Sequence, residues 1–173
     1  MAAKHPATRL IVAGEPKKGS EQYVRQIQEA INAHSSRDRV IQRIGYVPDS
    51  EVELYFKAAD VLALPYLDIF QSGMLFMGFA YGLPVIASDV GSFREDIIEG
   101  ISGFVCKPSN PLDLGATIEK YFDSNLFKRL DIYRKEIREY AFRTHSWDLV
   151  GEMTRAAYVN LLEAPRLRVP QSR

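Results

Sequence analysis

Residues 60–98 constrain the fold more than any other part of this chain, because short apolar runs and helical stretches alternate there with little between them. Val61-Leu62-Ala63-Leu64-Pro65-Tyr66 reads as a short strand, apolar on both faces and stopped near Pro65. Gln71-Ser72-Gly73 opens a helix that runs through Ala80-Tyr81 and is ended by Gly82 and Pro84. Val85-Ile86-Ala87-Ser88 is a second buried strand, and Asp89-Val90-Gly91-Ser92 turns from it into a helix at Phe93 to Ile98. Two strand-to-helix units in so short a span imply parallel strands. Ligands of such sheets bind where strand C-termini meet helix N-termini. A small polar loop feeding a helix offers free N–H groups to an anion, so Gln71-Ser72-Gly73 is the first candidate phosphate site.

Composition sets outer bounds. A chain of 173 residues suits one domain with a single core. Its 46% hydrophobic and 25% charged content is that of a folded globular protein. The 22 basic residues are balanced by 22 acidic ones, so no overall field points to nucleic acid or an anionic membrane. The single Cys106 forbids an internal disulfide and fits a cytoplasmic location. One cysteine and three scattered histidines, His5, His34 and His145, leave no metal site. No signal peptide is visible at Met1 to Pro6. The uncharged run from Ile69 to Ser88 is broken by Gly82-Leu83-Pro84, and neither piece can cross ~30 Å of hydrocarbon. No integral membrane segment is expected.

The alternation continues on both sides. Leu10 to Gly14 is expected as a buried strand, followed by a polar loop from Glu15 to Gly19. Ser20 can cap a helix through Tyr23, Ile27, Ile31 and His34. Val40 to Gly45 is the next strand, and Pro48-Asp49-Ser50-Glu51 starts a helix reaching Ala59. Gly103-Phe104-Val105-Cys106 is the last strand, ended by Pro108. Beyond Pro111 the pattern is helical: Leu112 to Phe122, Asn125 to about Phe142, and Ser146 to Leu162. Ser146 with Asp148 in the first turn is a good helix start. Residues 164–173, with two prolines and three arginines, are expected to form a flexible tail.

Several phrases now carry a resemblance: Ala58-Ala59-Asp60-Val61-Leu62-Ala63-Leu64-Pro65, Gly82-Leu83-Pro84-Val85-Ile86-Ala87-Ser88, Gly91 with Glu95, and Gly100-Ile101-Ser102-Gly103-Phe104-Val105. In this order and spacing they resemble the C-terminal, donor-binding domain of a family 4 glycosyltransferase of the GT-B fold, over roughly Leu10 to Leu162. Arg43-Ile44-Gly45-Tyr46-Val47-Pro48 and Ser146-Trp147-Asp148 also fit their places. Such enzymes move a sugar from a nucleotide diphosphate donor to an acceptor with retention of configuration. The resemblance implies a donor along the C-terminal edge of the sheet, its base near Gly45, Tyr46 and Val47 and its diphosphate at the helix after Gln71. It thus selects the same loop as the helix N-terminus argument. Gly14, Gly45, Tyr46, Gln71, Ser72, Gly73 and Glu95 become donor-binding candidates. The nucleotide diphosphate sugar is a substrate, and no cofactor is implied.

Departures from the pattern matter as much. The family usually carries two glutamates eight positions apart, one near the transferred sugar and one holding the ribose hydroxyls. Counted back from Gly82, these positions hold Ile69 and Met77, neither of which can accept such a hydrogen bond. Asp68 stands one residue before the first and is the catalytic candidate. A subset of the family starts this helix with Gln-Ser-Gly and lacks the second glutamate. In the family, Leu10 to Gly14 is the second strand, so the resemblance implies that a first strand and helix, with an arginine and a lysine for the diphosphate, and the acceptor-binding N-terminal domain are missing partners.

Plainer roles stand beside these. Ser72 and Gly73 can simply start a buried helix, Glu95 is favoured by the helix dipole whatever its function, and Asp68 can be a loop cap. Lys17 and Lys18 are expected in a solvated loop, Lys128 to Glu139 on a solvated helix face, Met77 and Phe79 in the core, and Trp147 as a packing anchor. The expectation is an α/β fold: a mostly parallel Rossmann-like sheet, flanking helices and a helical C-terminal segment. Residues 1–163 form a nucleotide-sugar-binding domain. The alternative is a degenerate, non-catalytic domain that binds a nucleotide or a protein partner. A response-regulator-like domain shares the architecture, but no acidic cluster follows the strand ending at Gly14.

Overall fold

The computed structural model describes residues 5–163, so the expected tail at 164–173 lies outside the described residues. Strands and helices alternate from β1 (Leu10–Gly14), α1 (Glu21–Ala33), β2 (Val40–Ile44) and α2 (Asp49–Ala58) to β3 (Leu62–Leu64) and α3 (Gly73–Ala80). Then come β4 (Val85–Ser88), α4 (Phe93–Asp96), β5 (Gly103–Cys106), α5 (Pro111–Asp123), α6 (Asn125–Lys128), α7 (Leu130–His145) and α8 (Trp147–Glu163). Every strand pairing is parallel, as the short strand-to-helix units require. The strands form two sheets: β1 pairs with β2, and β4 lies between β3 and β5.

The core lies on both faces of the three-stranded sheet. Val85 and Ala87 of β4 face Leu64, Leu75, Phe79, Phe93, Ile97 and Ile137, which come from β3, α3, α4, α7 and their flanks. Ile86, between them, faces the opposite way onto Phe104, Tyr121 and Leu126. The alternation follows from the two-residue period of a strand, and burial on both faces explains why β4 is apolar throughout but for Ser88. Tyr121 is fully buried, and its hydroxyl donates to the Asp60 carbonyl at 2.7 Å, tying α5 to the entrance of β3. Gly78 lets α3 lie directly on the sheet, since a Cβ there would stand 2.8 Å from Leu62 Cδ2.

Local signals explain the helix starts. Asn110 Oδ1 accepts from the Asp113 N–H at 3.0 Å, with Pro111 in the first turn of α5. Ser146 Oγ accepts from the Leu149 N–H at 3.2 Å, as the Ser146-Trp147-Asp148 pattern predicts. Ser20 does not cap α1. Its hydroxyl donates to the Lys17 carbonyl at 2.6 Å, while the Glu21 carboxylate accepts the Gly19 N–H.

Burial departs from the expectations at three places. β1 is not a buried strand: none of its residues is fully covered and Leu10 is 51% exposed, because α1 contributes no buried residue and, among the described residues, β1 pairs only with β2. Met77 lies outside the core at 40% exposure, on the face of α3 opposite Leu75 and Phe79. Trp147 is not a buried packing anchor: it is 86% exposed at the start of α8, a helix with no buried residue. Among the described residues no helix is long and apolar enough to cross a membrane.

Candidate functional site

The parallel arrangement brings the C-terminal ends of all five strands toward loops that carry the candidate residues. On the two-stranded side, Gly14 ends β1 and Gly45 follows β2. The Gly45 N–H donates to the Gly14 carbonyl at 3.0 Å, extending the ladder by one bond and joining two of the candidates. Tyr46, next in the chain, is exposed.

On the three-stranded side the loop from Pro65 to Ser72 leads from β3 into α3. Ser72 is 3% exposed and stands at the helix N-cap position with extended backbone, φ −123° and ψ 117°. Its side chain makes no capping hydrogen bond. The first N–H groups of a helix have no acceptor within it, and here only Leu75, which donates to the Ser72 carbonyl at 3.1 Å, is tied back. The Gly73 and Met74 N–H groups are left at the tip of α3. Gln71 and Gly73 are exposed beside Ser72.

The loop after β4 packs against this one. The Ser92 N–H donates to the Phe70 carbonyl at 3.1 Å, and Gly91, at φ +56°, presses its α-carbon against the Ile69 and Phe70 carbonyls. At the other end of that loop the Asp89 N–H donates to the Cys106 carbonyl at 2.7 Å, linking it to β5. The Asp89 carboxylate takes Arg94 Nε at 2.9 Å on each oxygen. The guanidinium holds the Asp89 carboxyl below its ordinary range, and the carboxylate raises Arg94 in turn. Arg94 is thereby spoken for, whereas Glu95 and Asp68 are exposed, with no side-chain partner among the described residues. Ile69 packs against the core and has no polar function to offer.

A cavity of about 190 Å³ opens at the same edge, and spacing along the sequence gave no warning of it. Pro65, Ser88 and Cys106, the ends of three adjacent strands, line it together with Lys107, Ser109 and Asn110. Its one local signal is Ser109, whose φ of 53° turns the chain sharply before Asn110 caps α5. Burial raises the Cys106 thiol above its ordinary range, so it stays protonated at neutral pH.

Comparison with known proteins fits this arrangement. The chain is 26% identical over 174 residues to a D-inositol 3-phosphate glycosyltransferase of Geodermatophilus obscurus, a match that covers 94% of the chain. It spans only 36% of the length of that relative. Among solved structures, HepE of Anabaena in complex with UDP superposes with a TM-score of 0.78 at 16% identity, over 90% of this chain and 42% of that one. Sucrose-phosphate synthase of Thermosynechococcus elongatus gives 0.73 at 22% identity, over 90% and 38%. The C-terminal domain of a group 1 glycosyl transferase, LpcC of Francisella tularensis, gives 0.72 at 15% identity, over 84% and 74%. At such identities the structures speak for the fold, which is the Rossmann-like fold of GT-B glycosyltransferases. Residues 1–144 match the family described as glycosyl transferases group 1, and the chain belongs to that family.

Proposed function

We propose that this chain is the donor-binding half of a retaining glycosyltransferase, one that takes a nucleotide diphosphate sugar and passes the sugar to an acceptor held by another domain. The observation that carries the reading is the uncapped N-terminus of α3, where Ser72 is buried without a capping bond and the Gly73 and Met74 N–H groups stand in the first turn of the helix that follows β3. A helix N-terminus favours negative charge, and the diphosphate is the group on which charge develops as the glycosidic bond breaks. Gln71, Ser72 and Gly73 would hold it, Gly14, Gly45 and Tyr46 would border the nucleoside, and Glu95 would approach from the donor side. Asp68 is the one carboxylate beside Ile69 and would take the place next to the transferred sugar. The donor is itself the substrate, so the reading calls for no cofactor. HepE, similar in fold, has been solved with UDP and with UDP-glucose. A single buried thiol fits a cytoplasmic, reducing compartment.

One observation favours a second reading, a degenerate domain that binds a nucleotide or a protein without transfer. Ile69 and Met77 occupy the positions where the family resemblance calls for glutamates. Titrating the ¹⁵N-labelled chain with UDP, GDP and ADP tests the donor site and separates it from a domain that binds only a protein partner. Donor binding predicts amide shifts at Gly73, Met74, Gly45 and Tyr46. Shifts confined to α5 and α7, or none at millimolar nucleotide, would exclude the donor site.

A further inference from the structure

The helix wall beside the candidate phosphate site is made of methionine. α3 reads Gly-Met-Leu-Phe-Met-Gly-Phe-Ala over its eight residues, and none of them carries a polar side chain. A helix that is apolar all round is ordinarily covered on every side. α3 is not: Leu75, Gly78 and Phe79 are buried, whereas Gly73, Met74, Met77 and Ala80 are exposed. Met74 and Met77 each leave 40% of their surface open. Unbranched, polarizable methionine side chains recur on surfaces that take more than one ligand, because they repack around different shapes.

The exposed face begins at the site itself. Gly73 and Met74 carry the open N–H groups of the tip, and Met77 stands four and three residues beyond them on the same face. At about 1.5 Å of rise per residue, Met77 lies roughly one turn, ~5 Å, below the tip. In a nucleoside diphosphate the 5′ carbon separates the phosphate from the ribose ring, and the 2′ and 3′ hydroxyls lie a comparable distance from the phosphorus. The core side of the helix has no room for a ligand, since Leu75 and Phe79 are 0% exposed. A nucleotide whose diphosphate caps α3 and whose nucleoside follows the open face brings its ribose hydroxyls to Met77.

A hydroxyl finds little to bond there. A thioether donates no hydrogen bond and accepts one only weakly. Between Ser72 and Ser88 the one side chain with a strong hydrogen-bonding group is Tyr81, past the C-terminal end of α3, with its ring stacked on Phe56 at 5.0 Å. The exposed carboxylates of the site, Asp68 and Glu95, lie outside this stretch. A site built to bond a hydroxyl rejects the analogue lacking it by roughly 10⁴–10⁵-fold, because its own polar groups are then left unpaired. A methionine wall has no such group to strand, and its exposure leaves the hydroxyls in contact with water.

We propose that this chain does not read the ribose of its donor: it takes 2′-deoxynucleoside diphosphates as readily as ribonucleoside diphosphates, and Met77 is the residue that sets this indifference. The substrate class then includes deoxynucleoside diphosphate sugars. The inference rests on the donor reading above and adds to it the selectivity of the same site.

Calorimetric titration of the full chain with UDP, 2′-deoxy-UDP and 2′,3′-dideoxy-UDP tests it. The three dissociation constants should agree within fivefold. In Met77→Glu a carboxylate one turn below the tip can accept both hydroxyls, so UDP should bind at least tenfold more tightly than its dideoxy analogue. If glutamate unfolds the chain, Met77→Gln offers an amide oxygen at the same place and should favour UDP by more than fivefold. A preference of the native chain for UDP over the dideoxy analogue by more than fivefold would overturn the proposal and leave the donor site standing. So would a folded variant that keeps the native ratio. Absence of binding by all three at millimolar concentration would remove the donor site, and the proposal with it.

Discussion

Gly91 and Phe70 hold the two loops of the candidate site together: the glycine α-carbon packs against the Phe70 carbonyl, which also accepts the Ser92 N–H at 3.1 Å. The contact works only without a side chain. At φ +56° an added Cβ would collide with the Ile69 and Phe70 carbonyl oxygens, which are backbone and cannot swing aside. The strand-end loops after β3 and β4 are therefore positioned by each other and not by either strand alone.

Gly91→Ala should thus be costly for a one-carbon change. The left-handed conformation alone costs about 1–2 kcal/mol for a residue with a Cβ. With the backbone collision added, we expect a loss of about 2 kcal/mol or more, and a melting temperature lower by roughly 4–8 °C for a domain of this size. Thermal and urea unfolding check it. Stability within about 0.5 kcal/mol of the parent would mean that the loops are not in contact in solution.

Tyr121 gives a prediction that depends on pH. Its hydroxyl is buried and donates to the Asp60 carbonyl, and burial pushes its ionisation well above the ordinary phenol range. A folded-state pKa raised above the unfolded one favours the native state while the phenol is protonated. That contribution is complete below the unfolded value of about 10 and is lost as pH rises beyond it, by at most about 1.4 kcal/mol per pH unit. Tyr121→Phe should cost about 1–3 kcal/mol at neutral pH, because the Asp60 carbonyl loses its donor. Its stability should then fall less steeply than the parent's between pH 10 and 11.5. Parallel curves from urea titrations across that range would refute the account.

Particular elements show what could be read in advance. Leu10–Gly14 and Gly103–Cys106 have the expected bounds residue for residue, because glycine or proline punctuates each apolar run. β3 is shorter than Val61 to Tyr66, since the chain turns at Pro65 and the Tyr66 N–H donates back to the Leu64 carbonyl at 2.9 Å instead of to β4. The candidate loops were legible for the same reason as the strands: they are the strand ends. Exposure was not legible. Periodicity tells which face of a helix is apolar but not whether anything covers it, so Met77 and Trp147 were expected inside and lie outside. Contacts between loops, such as Gly91 with Phe70, and the cavity at Ser88 and Cys106 depend on distances in space that no local spacing encodes.

The chain alone should transfer no sugar at a measurable rate. Holding two reactants in register supplies about 7–11 kcal/mol of a barrier in well-oriented cases. On the proposed reading the acceptor surface belongs to another domain, and the relative matched by this chain is nearly three times as long. Incubating the purified chain with nucleotide sugars and a panel of acceptor alcohols, followed by mass spectrometry, tests this. Steady turnover would show that both substrates are held within these residues.

Met77 gives the sharpest test of the donor site, and its exposure decides how the result is read. If the ribose lies along α3, Met77 stands where a carboxylate would receive its hydroxyls. Hydrogen bonds to a charged acceptor contribute about 1.5–3 kcal/mol, so Met77→Glu should tighten binding of a nucleotide sugar roughly tenfold or more. A carboxylate sealed in a core would unfold the domain, but a side chain 40% exposed keeps its charge in contact with water. The variant should therefore melt close to the parent, and circular dichroism checks that first. Calorimetric titration with UDP-glucose then gives the answer. A folded variant whose affinity is unchanged would mean that the ribose does not approach α3, and the assignment of Gln71, Ser72 and Gly73 to the diphosphate would fall with it.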